Sequence, residues 1–276
     1  MPDADSPTAF YDHPHWYDIV HAKGTAAEID FLESMAAHYC RTRRARAHEK
    51  SLHWLEPACG TARHLAVLAR RYPHHILCGY DTNPHMLEYA HQRMTRLGHA
   101  RAHIMHNDMT NFRADRTRKP RLPKFDIAFN TINTFRHILN PDDALTHLEN
   151  TAASLAPGGL YVLGIDLVDY TLPDTPLEEL WVARRGRCTV QHIMLNDDPD
   201  SGTRFERIIN HITVTTPSTR QYFQSSYDLL SYDLDQWQQL IDASPFTQVA
   251  SYTFDKEPIE TIDRSTRDMN AILRLE

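Results

Sequence analysis

The sequence predicts an α/β domain: a doubly wound, mostly parallel sheet of seven strands, broken by an inserted antiparallel β meander. Three observations predict it. Short apolar runs alternate with helix-length amphipathic segments from Leu52 to Asp166, the pattern of repeated βαβ units. Helix punctuation falls between those runs, in Asn83-Pro84, Gly98, Asn140-Pro141 and Pro157-Gly158-Gly159. Beyond residue 180 the rhythm changes to long strand-like segments separated by turn residues.

In chain order, residues 25–39 place Ile29, Leu32, Met35, Ala36 and Tyr39 at helical spacing, so a helix precedes the main domain. The run Arg41–Lys50 reads as a solvated basic connector. Strand 52–56 is followed by a turn and a helix over 63–72. Strand 76–80 leads to a helix capped by Asn83 and stopped by Gly98, with Met86, Ala90, Met94 and Leu97 as its buried stripe. Strand 103–106 precedes the polar, basic stretch 113–124. Strand 125–130 leads to a helix opened by Asn140-Pro141, and Pro157-Gly158-Gly159 ends that helix before strand 160–166. Segments 180–195, 204–216 and 220–230 form the meander, as three or four strands. A helix over 233–243 and strands 247–254 and 270–275 complete the sheet. This divides the chain into an N-terminal helical segment (1–50), a core (51–170 and 231–276) and an antiparallel insertion (171–230).

Composition narrows the function. A formal net charge of −7 argues against a general nucleic-acid binder, which needs a cationic surface. Residues 1–9 carry no apolar leader, and no run of 18 apolar residues suggests a membrane span. Four scattered cysteines form no C-x-x-C pair, and His13/His15, His74/His75 and His103/His106 lack metal-ligating partners. The expectation is a cytoplasmic, metal-free protein, monomeric or homodimeric, with no membrane partner.

The informative segment is Glu56-Pro57-Ala58-Cys59-Gly60-Thr61-Ala62, between the first strand and the first helix. In open α/β sheets ligands bind in the crevice at the carboxyl ends of the strands, and a turn of small residues admits them closely. The G-x-G-x-x-G of a dinucleotide reductase is missing. Asp81 ends the second strand, where a carboxylate can accept from ribose hydroxyls; Asp108 follows the third, where it can take an adenine amino proton.

This spaced set, with Phe125–Asn130 after it, resembles the class I S-adenosylmethionine (SAM)-dependent methyltransferases, Rossmann-like enzymes, and is most similar to their small-molecule branch. The stretch Tyr11-Asp12 to Lys23 resembles the Y-D-x-x-Y-x-x-K opening of that branch. The resemblance implies that Glu56, Ala58 and Gly60 hold the methionine end of SAM. It implies further that Asp81 holds the ribose with Thr82 and Met86 beside the adenosine, that Asp108 and the Met109 backbone read adenine, and that Asn130 faces the sulfonium. Tyr11 and Tyr17 would close over the cofactor, the insertion would serve as the substrate lid, and S-adenosylhomocysteine (SAH) would be the product. The family's glycines are replaced by Ala58 and Ala62, which is tolerable at negative φ and strained at positive φ.

Methyl transfer to N or O of a small acceptor is an in-line displacement, so the protein's task is alignment at about 3–3.5 Å. His137 is the candidate base, with Asn133 or Arg136 orienting the acceptor. Two other readings stay open: a SAM-binding protein of this fold without catalysis, and a nucleic-acid or protein methyltransferase. Asn130-Thr131-Ile132-Asn133 is not the N-P-P-Y/F type of base-amino methylases, which argues against a nucleic-acid substrate.

Overall fold

The computed structural model describes residues 10–49, 51–172, 178–197, 199 and 201–276. The N-terminal reading of residues 1–9 lies outside them. Three helices open the described chain: α1 (Pro14–His21), α2 (Thr25–Tyr39) and the short α3 (Arg43–Arg46). The sheet then begins with β1 (His53–Pro57), α4 (Arg63–Arg71), β2 (Ile76–Asp81), α5 (Pro84–Leu97), β3 (Ala102–His106), β4 (Phe125–Asn130), α6 (Pro141–Ser154) and β5 (Leu155–Asp166). The meander follows as β6 (Glu178–Arg185), β7 (Cys188–Asn196), β8 (Phe205–Thr215) and β9 (Arg220–Leu230), and α7 (Leu234–Ala243), β10 (Phe246–Tyr252) and β11 (Asp268–Leu275) close the chain.

Seven strands lie in the order β10-β11-β5-β4-β1-β2-β3. Pairs from β5 to β3 are parallel, whereas β11 runs antiparallel to both β5 and β10. Chain order reverses between β1 and β4, which puts the topological switch point at their carboxyl ends. Apolar residues alternate across the sheet and build a core on each face, one around Leu55, Phe125 and Trp237, the other around Trp54, Leu77 and Phe129.

Local chemistry sets the element ends. Asn83 accepts from the amides of His85 and Met86, Pro84 needs no partner at the first helical position, and Gly98 takes φ +65° past the last turn of α5. Asp233 and Gln236 form a reciprocal capping box on α7.

Two expectations are corrected, and the number of meander strands, left at three or four, is four. Pro157-Gly158-Gly159 does not end α6; the helix stops at Ser154 and β5 starts at Leu155. The three residues instead bend the strand, with Gly158 at φ +77° and its carbonyl accepting from Arg41 N at 2.7 Å. A Cβ there would lie 2.6 Å from the Arg41 carbonyl carbon, so only glycine fits. The segment 180–195 is two strands, reversed at Gly186 with φ +60°. The basic connector is also fastened: Arg44 donates to the buried Asp126 Oδ2 at 2.7 Å and to the Lys124 carbonyl at 2.9 Å. Among the described residues, no helix is long and apolar enough to cross a membrane.

The four-stranded sheet, order β6-β7-β8-β9, is joined to the rest through α1. Asp18 on α1 is the junction. It pairs with Arg93 of α5 at 2.6 Å and Arg185 of β6 at 2.8 Å, and accepts from Thr61 of the β1–α4 turn at 3.1 Å. Burial alone would raise the Asp18 carboxyl pKa, but the two guanidinium groups outweigh it and hold it below the usual value.

Candidate active site

A cavity of about 1050 Å³ opens at the switch point, between the carboxyl ends of β1 and β4, the N-terminal segment and the inner face of the meander. Single-ligand pockets run to roughly 300–1,000 Å³, so this one has room for a cofactor-sized molecule and a second small one.

Its floor is the β1–α4 turn, whose backbone is left-handed three times: Ala58 at φ +46°, Gly60 at +51° and Ala62 at +53°. Gly60 suits that region, while the two alanines are strained in it. The turn is anchored to β2, because Cys59 N donates to the Tyr80 carbonyl at 2.9 Å and Gly60 N to Asp81 Oδ2 at 2.8 Å. Beside it runs a buried charge chain. His64 donates from Nδ1 to Glu56 Oε1 at 2.7 Å and from Nε2 to Glu28 Oε2 at 2.5 Å, and Arg63 pairs with Glu28 at 2.8 Å. Burial and Arg63 push the His64 pKa down, yet the two carboxylates prevail and hold it above its usual value. The second oxygen of Glu56, Oε2, is buried without a hydrogen-bond partner. A buried bare carboxylate oxygen beside a cavity is a ready seat for a ligand ammonium.

The cavity wall brings together Tyr11, Tyr17, Glu56, Ala58, Gly60, Asn130, Asn133 and His137 from the sequence-derived set. Asp81, Thr82, Met86, Asp108 and Met109 are not in its lining. Asp81, Thr82, Asp108 and Met109 follow the ends of β2 and β3, where Asn107 N donates to the Asp81 carbonyl at 3.1 Å, and Met86 lies in the first turn of α5. Asp108 Oδ1 is occupied by the Thr110 amide and hydroxyl.

Several candidates are already committed. Asn130 donates from Nδ2 to the Pro57 carbonyl at 2.6 Å and accepts from Tyr161 at 2.7 Å, so its amide braces β1 against β5 rather than pointing free at a ligand. Asn133, at φ +36°, donates to Asp166 Oδ2 and accepts from the Asp166 amide at 2.7 Å, which leaves it positioning Asp166 instead of an acceptor. Arg136 is buried and bound to Glu206 of β8 and the Leu230 carbonyl, which locks the meander onto the core. His137 does face the cavity, 3.4 Å from the Tyr11 hydroxyl, and burial together with Arg136 pulls its pKa down to about 4. Of the aromatics in the meander region, Tyr170, Trp181 and Tyr227 line the cavity, whereas Phe205 and Tyr222 are exposed.

Sequence reasoning missed two further carboxylates of the cavity wall. Asp166 ends β5 and Glu179 is the second residue of β6; both line the cavity. Burial in the cavity wall pushes the Asp166 carboxyl up to about 6, against the pull of Arg136 and Asn133, and raises Glu179 as well. The signal for Asp166 was present, since it closes a parallel strand just as Asp81 does.

The comparisons agree with this architecture. Residues 55–159 match the family model described as a methyltransferase domain. A search of curated protein sequences finds no match. Among solved structures, a SAM-dependent methyltransferase from Clostridium acetobutylicum superposes with a TM-score of 0.69 at 14% identity, covering 97% of this chain and 99% of that one. DesVI from Streptomyces venezuelae gives 0.70 at 20% identity, over 98% and 99%. CalS10, an amino pentose methyltransferase from Micromonospora echinaspora, gives 0.68 at 17% identity, over 98% and 99%. The chain thus has the fold of these SAM-dependent methyltransferases over its whole length, and residues 55–159 are similar to a methyltransferase domain.

Proposed function

We propose that the protein is a SAM-dependent methyltransferase acting on an amine nitrogen of a small-molecule acceptor. The observation that carries this reading is the set of carboxylates that different elements bring to one cavity wall: Glu56, whose Oε2 is unpartnered, at the turn, and Asp166 and Glu179 elsewhere in the lining.

The residues at the turn fit SAM. Glu56 Oε2 would take its ammonium, and the left-handed turn at Ala58 and Gly60 admits the methionine chain closely. A methyl added at Gly60 would lie 3.9 Å from Met86 Sδ and 4.0 Å from Tyr17, so side chains already wall this space. Asp81 and Asp108 would reach the nucleoside. SAM supplies an activated methyl group on a sulfonium, and the chain's contribution is to orient the nitrogen in line with it at about 3–3.5 Å.

Asp166 and Glu179 suit a cation. Glu179 has no ion pair among the described residues, and Asp166 Oδ2 is engaged by Asn133 and faces Arg136 at 3.7 Å, so Oδ1 is the oxygen a ligand would use. An acceptor ammonium would be drawn there and would have to lose a proton before attack. Asp166, held near 6, is a better resting place for that proton than His137 near 4. CalS10 and KedS8, the latter described as a sugar N-methyltransferase from Streptoalloteichus, have this fold and act on amino sugars or sugar nitrogen by description, in keeping with the reading.

The test is SAH release from protein with SAM and a panel of primary amines and their matched alcohols. SAH from amines alone is expected. SAH from alcohols alone would remove the nitrogen assignment, and SAM binding with no SAH from any acceptor would favour a non-catalytic binder.

A further inference from the structure

Two basic runs set far apart in the sequence, 41–50 and 113–124, meet on one face of the fold. Between them they hold eleven of the 29 lysines and arginines and two of the 36 acidic residues. That is a net +9 in a chain of net −7, so the remainder carries −16. Arg44 joins the runs: its Nε donates to Asp126 Oδ2 at 2.7 Å and its Nη2 to the Lys124 carbonyl at 2.9 Å. The second run is pinned near its start, where the Ala114 amide donates to the buried Ser154 Oγ at 3.0 Å. Like charges at this density repel, yet bonds to the buried Asp126 and Ser154 hold them side by side.

Arg41, Arg43 and Arg46 of the first run are exposed, and so are Arg116, Arg118, Lys119, Arg121 and Lys124 of the second. Arg43 faces Glu49 at 3.9 Å, a loose surface pair, and Lys124 donates to the Ala153 carbonyl in the last turn of α6. The other six have no ion pair among the described residues. Arg41, Arg43, Arg44, Arg46 and Arg274 line a shallow hollow of about 950 Å³, so part of the face is concave. Both runs lie at the amino ends of the parallel strands, Lys124 just before β4 and the Arg41 amide on the Gly158 carbonyl early in β5. The cavity opens at the carboxyl ends, so roughly 15–20 Å of sheet separates the two.

The chemistry of the face narrows what fits it. Guanidinium groups take carboxylate or phosphate oxygens. Reading or stacking on bases needs Asn, Gln or aromatic side chains, and neither run contains any. A nucleic acid would also run past the face onto a remainder of charge −16, which repels it. A membrane surface is gripped by apolar side chains set among cations, and Leu122, the one large apolar residue of the two runs, is buried. A compact acidic protein meets neither obstacle. We infer that this face is a docking surface for an acidic protein, which grips it through carboxylates while the cavity stays open at the other edge of the sheet. The negative remainder repels such a partner everywhere else and so orients it.

Polyglutamate is the probe, titrated into the intact protein at low and at high salt beside a DNA duplex and phosphatidylglycerol vesicles. It is expected to bind at low salt and to weaken steeply as salt rises. Arg43→Glu with Arg46→Glu, and Arg118→Glu with Arg121→Glu, should each weaken it at least about tenfold, since each run supplies part of one surface. SAM binding should be unchanged in both, because neither run reaches the cavity. Carbodiimide coupling of the bound probe locates the contact: Lys119 and Lys124 should carry adducts, while Lys23 and Lys256 should not. Thermal melting establishes that each variant is folded, and the coupling map on wild-type protein decides the matter where one is not. No binding of polyglutamate, adducts spread equally over these four lysines, or unchanged affinity in both folded variants overturns the docking surface. Tighter binding of the duplex or the vesicles than of polyglutamate overturns its assignment to an acidic protein.

Discussion

The Gly60 amide donates to Asp81 Oδ2 at 2.8 Å, while Asp81 Oδ1 accepts from the Asn83 amide at 2.8 Å. One carboxylate therefore ties the β1–α4 turn to the cap of α5. Burial raises its pKa against the pull of these backbone amides, a sign that it is enclosed on most sides. A carboxylate has about four acceptor positions, and a third amide, that of Thr82, also draws on this one, so at most one or two would be left for a ribose. Asp81→Ala should then do two things: lower stability by about 1–3 kcal/mol, by orphaning two amides, and weaken SAM binding. Chemical denaturation and SAM titration check the pair. Loss of affinity with unchanged stability would mean that the Gly60 and Asn83 bonds contribute nothing to the fold.

Ala58 and Ala62 are both left-handed, but they do not cost the same to keep. Ala58 is half-buried in the cavity wall, while the Ala62 methyl is fully enclosed in the core around Leu65. Relieving the backbone strain with glycine is worth about 1–2 kcal/mol at either site. At Ala62 removal of the methyl offsets about 0.8 kcal/mol of that, and glycine's unfolded-state entropy takes up most of the rest. Ala58→Gly should stabilise by about 1 kcal/mol and Ala62→Gly by close to zero, as read from denaturation midpoints at constant slope. Destabilisation by Ala58→Gly would contradict the strain.

Arg136 joins the core to the meander through the buried Glu206. Arg136→Ala leaves that carboxylate buried and unpaired and should cost about 3–5 kcal/mol. Arg136→Met combined with Glu206→Leu should recover much of the loss, since both charges are then gone. A double variant as unstable as the single one would show that the hydrogen bond to the Leu230 carbonyl, at 3.0 Å, matters more than the charge pair.

The pH profile separates the two candidate proton acceptors. Burial raises Asp166 to about 6, so it is charged above that pH and neutral below it. With saturating SAM, kcat/KM for an amine should fall as pH is lowered through about 6, and Asp166→Asn should remove that limb. His137, held near 4, is neutral across the same range and gives no limb there. His137→Gln should lower kcat by less than about tenfold, because a base this weak contributes little of the usual 10²–10⁴-fold. A larger loss that carries the acid limb away would return the base assignment to His137.

Much of the fold could be read from the sequence because the signals were local. Asn83-Pro84, Gly98 and Asn140 mark helix ends by their own hydrogen bonds or φ angles. Pro157-Gly158-Gly159 misled because its role is set by Arg41, more than a hundred residues earlier in the chain. The site divides the same way. Glu56, Ala58 and Gly60 reach the cavity because strand order alone puts that turn at the switch point. What Asn130, Asn133 and Arg136 do depends on Tyr161, Asp166 and Glu206, partners that no spacing rule announces. Which face of the meander meets the core was hidden for a related reason: strand alternation fixes the two faces, but the sequence does not show which one turns inward.

The central claim is that the cavity at Glu56 holds SAM, and calorimetric titration of SAM into wild-type and Glu56→Gln protein tests it most directly. Replacing the carboxylate removes the charged seat for the SAM ammonium, a charge-assisted bond of about 1.5–3 kcal/mol, so affinity should fall roughly 10- to 150-fold at a stoichiometry of one. Because Glu56 also accepts from His64, thermal melting establishes that the variant is still folded. SAM affinity unchanged in a folded Glu56→Gln protein, or no SAM binding by the wild type, would contradict the account.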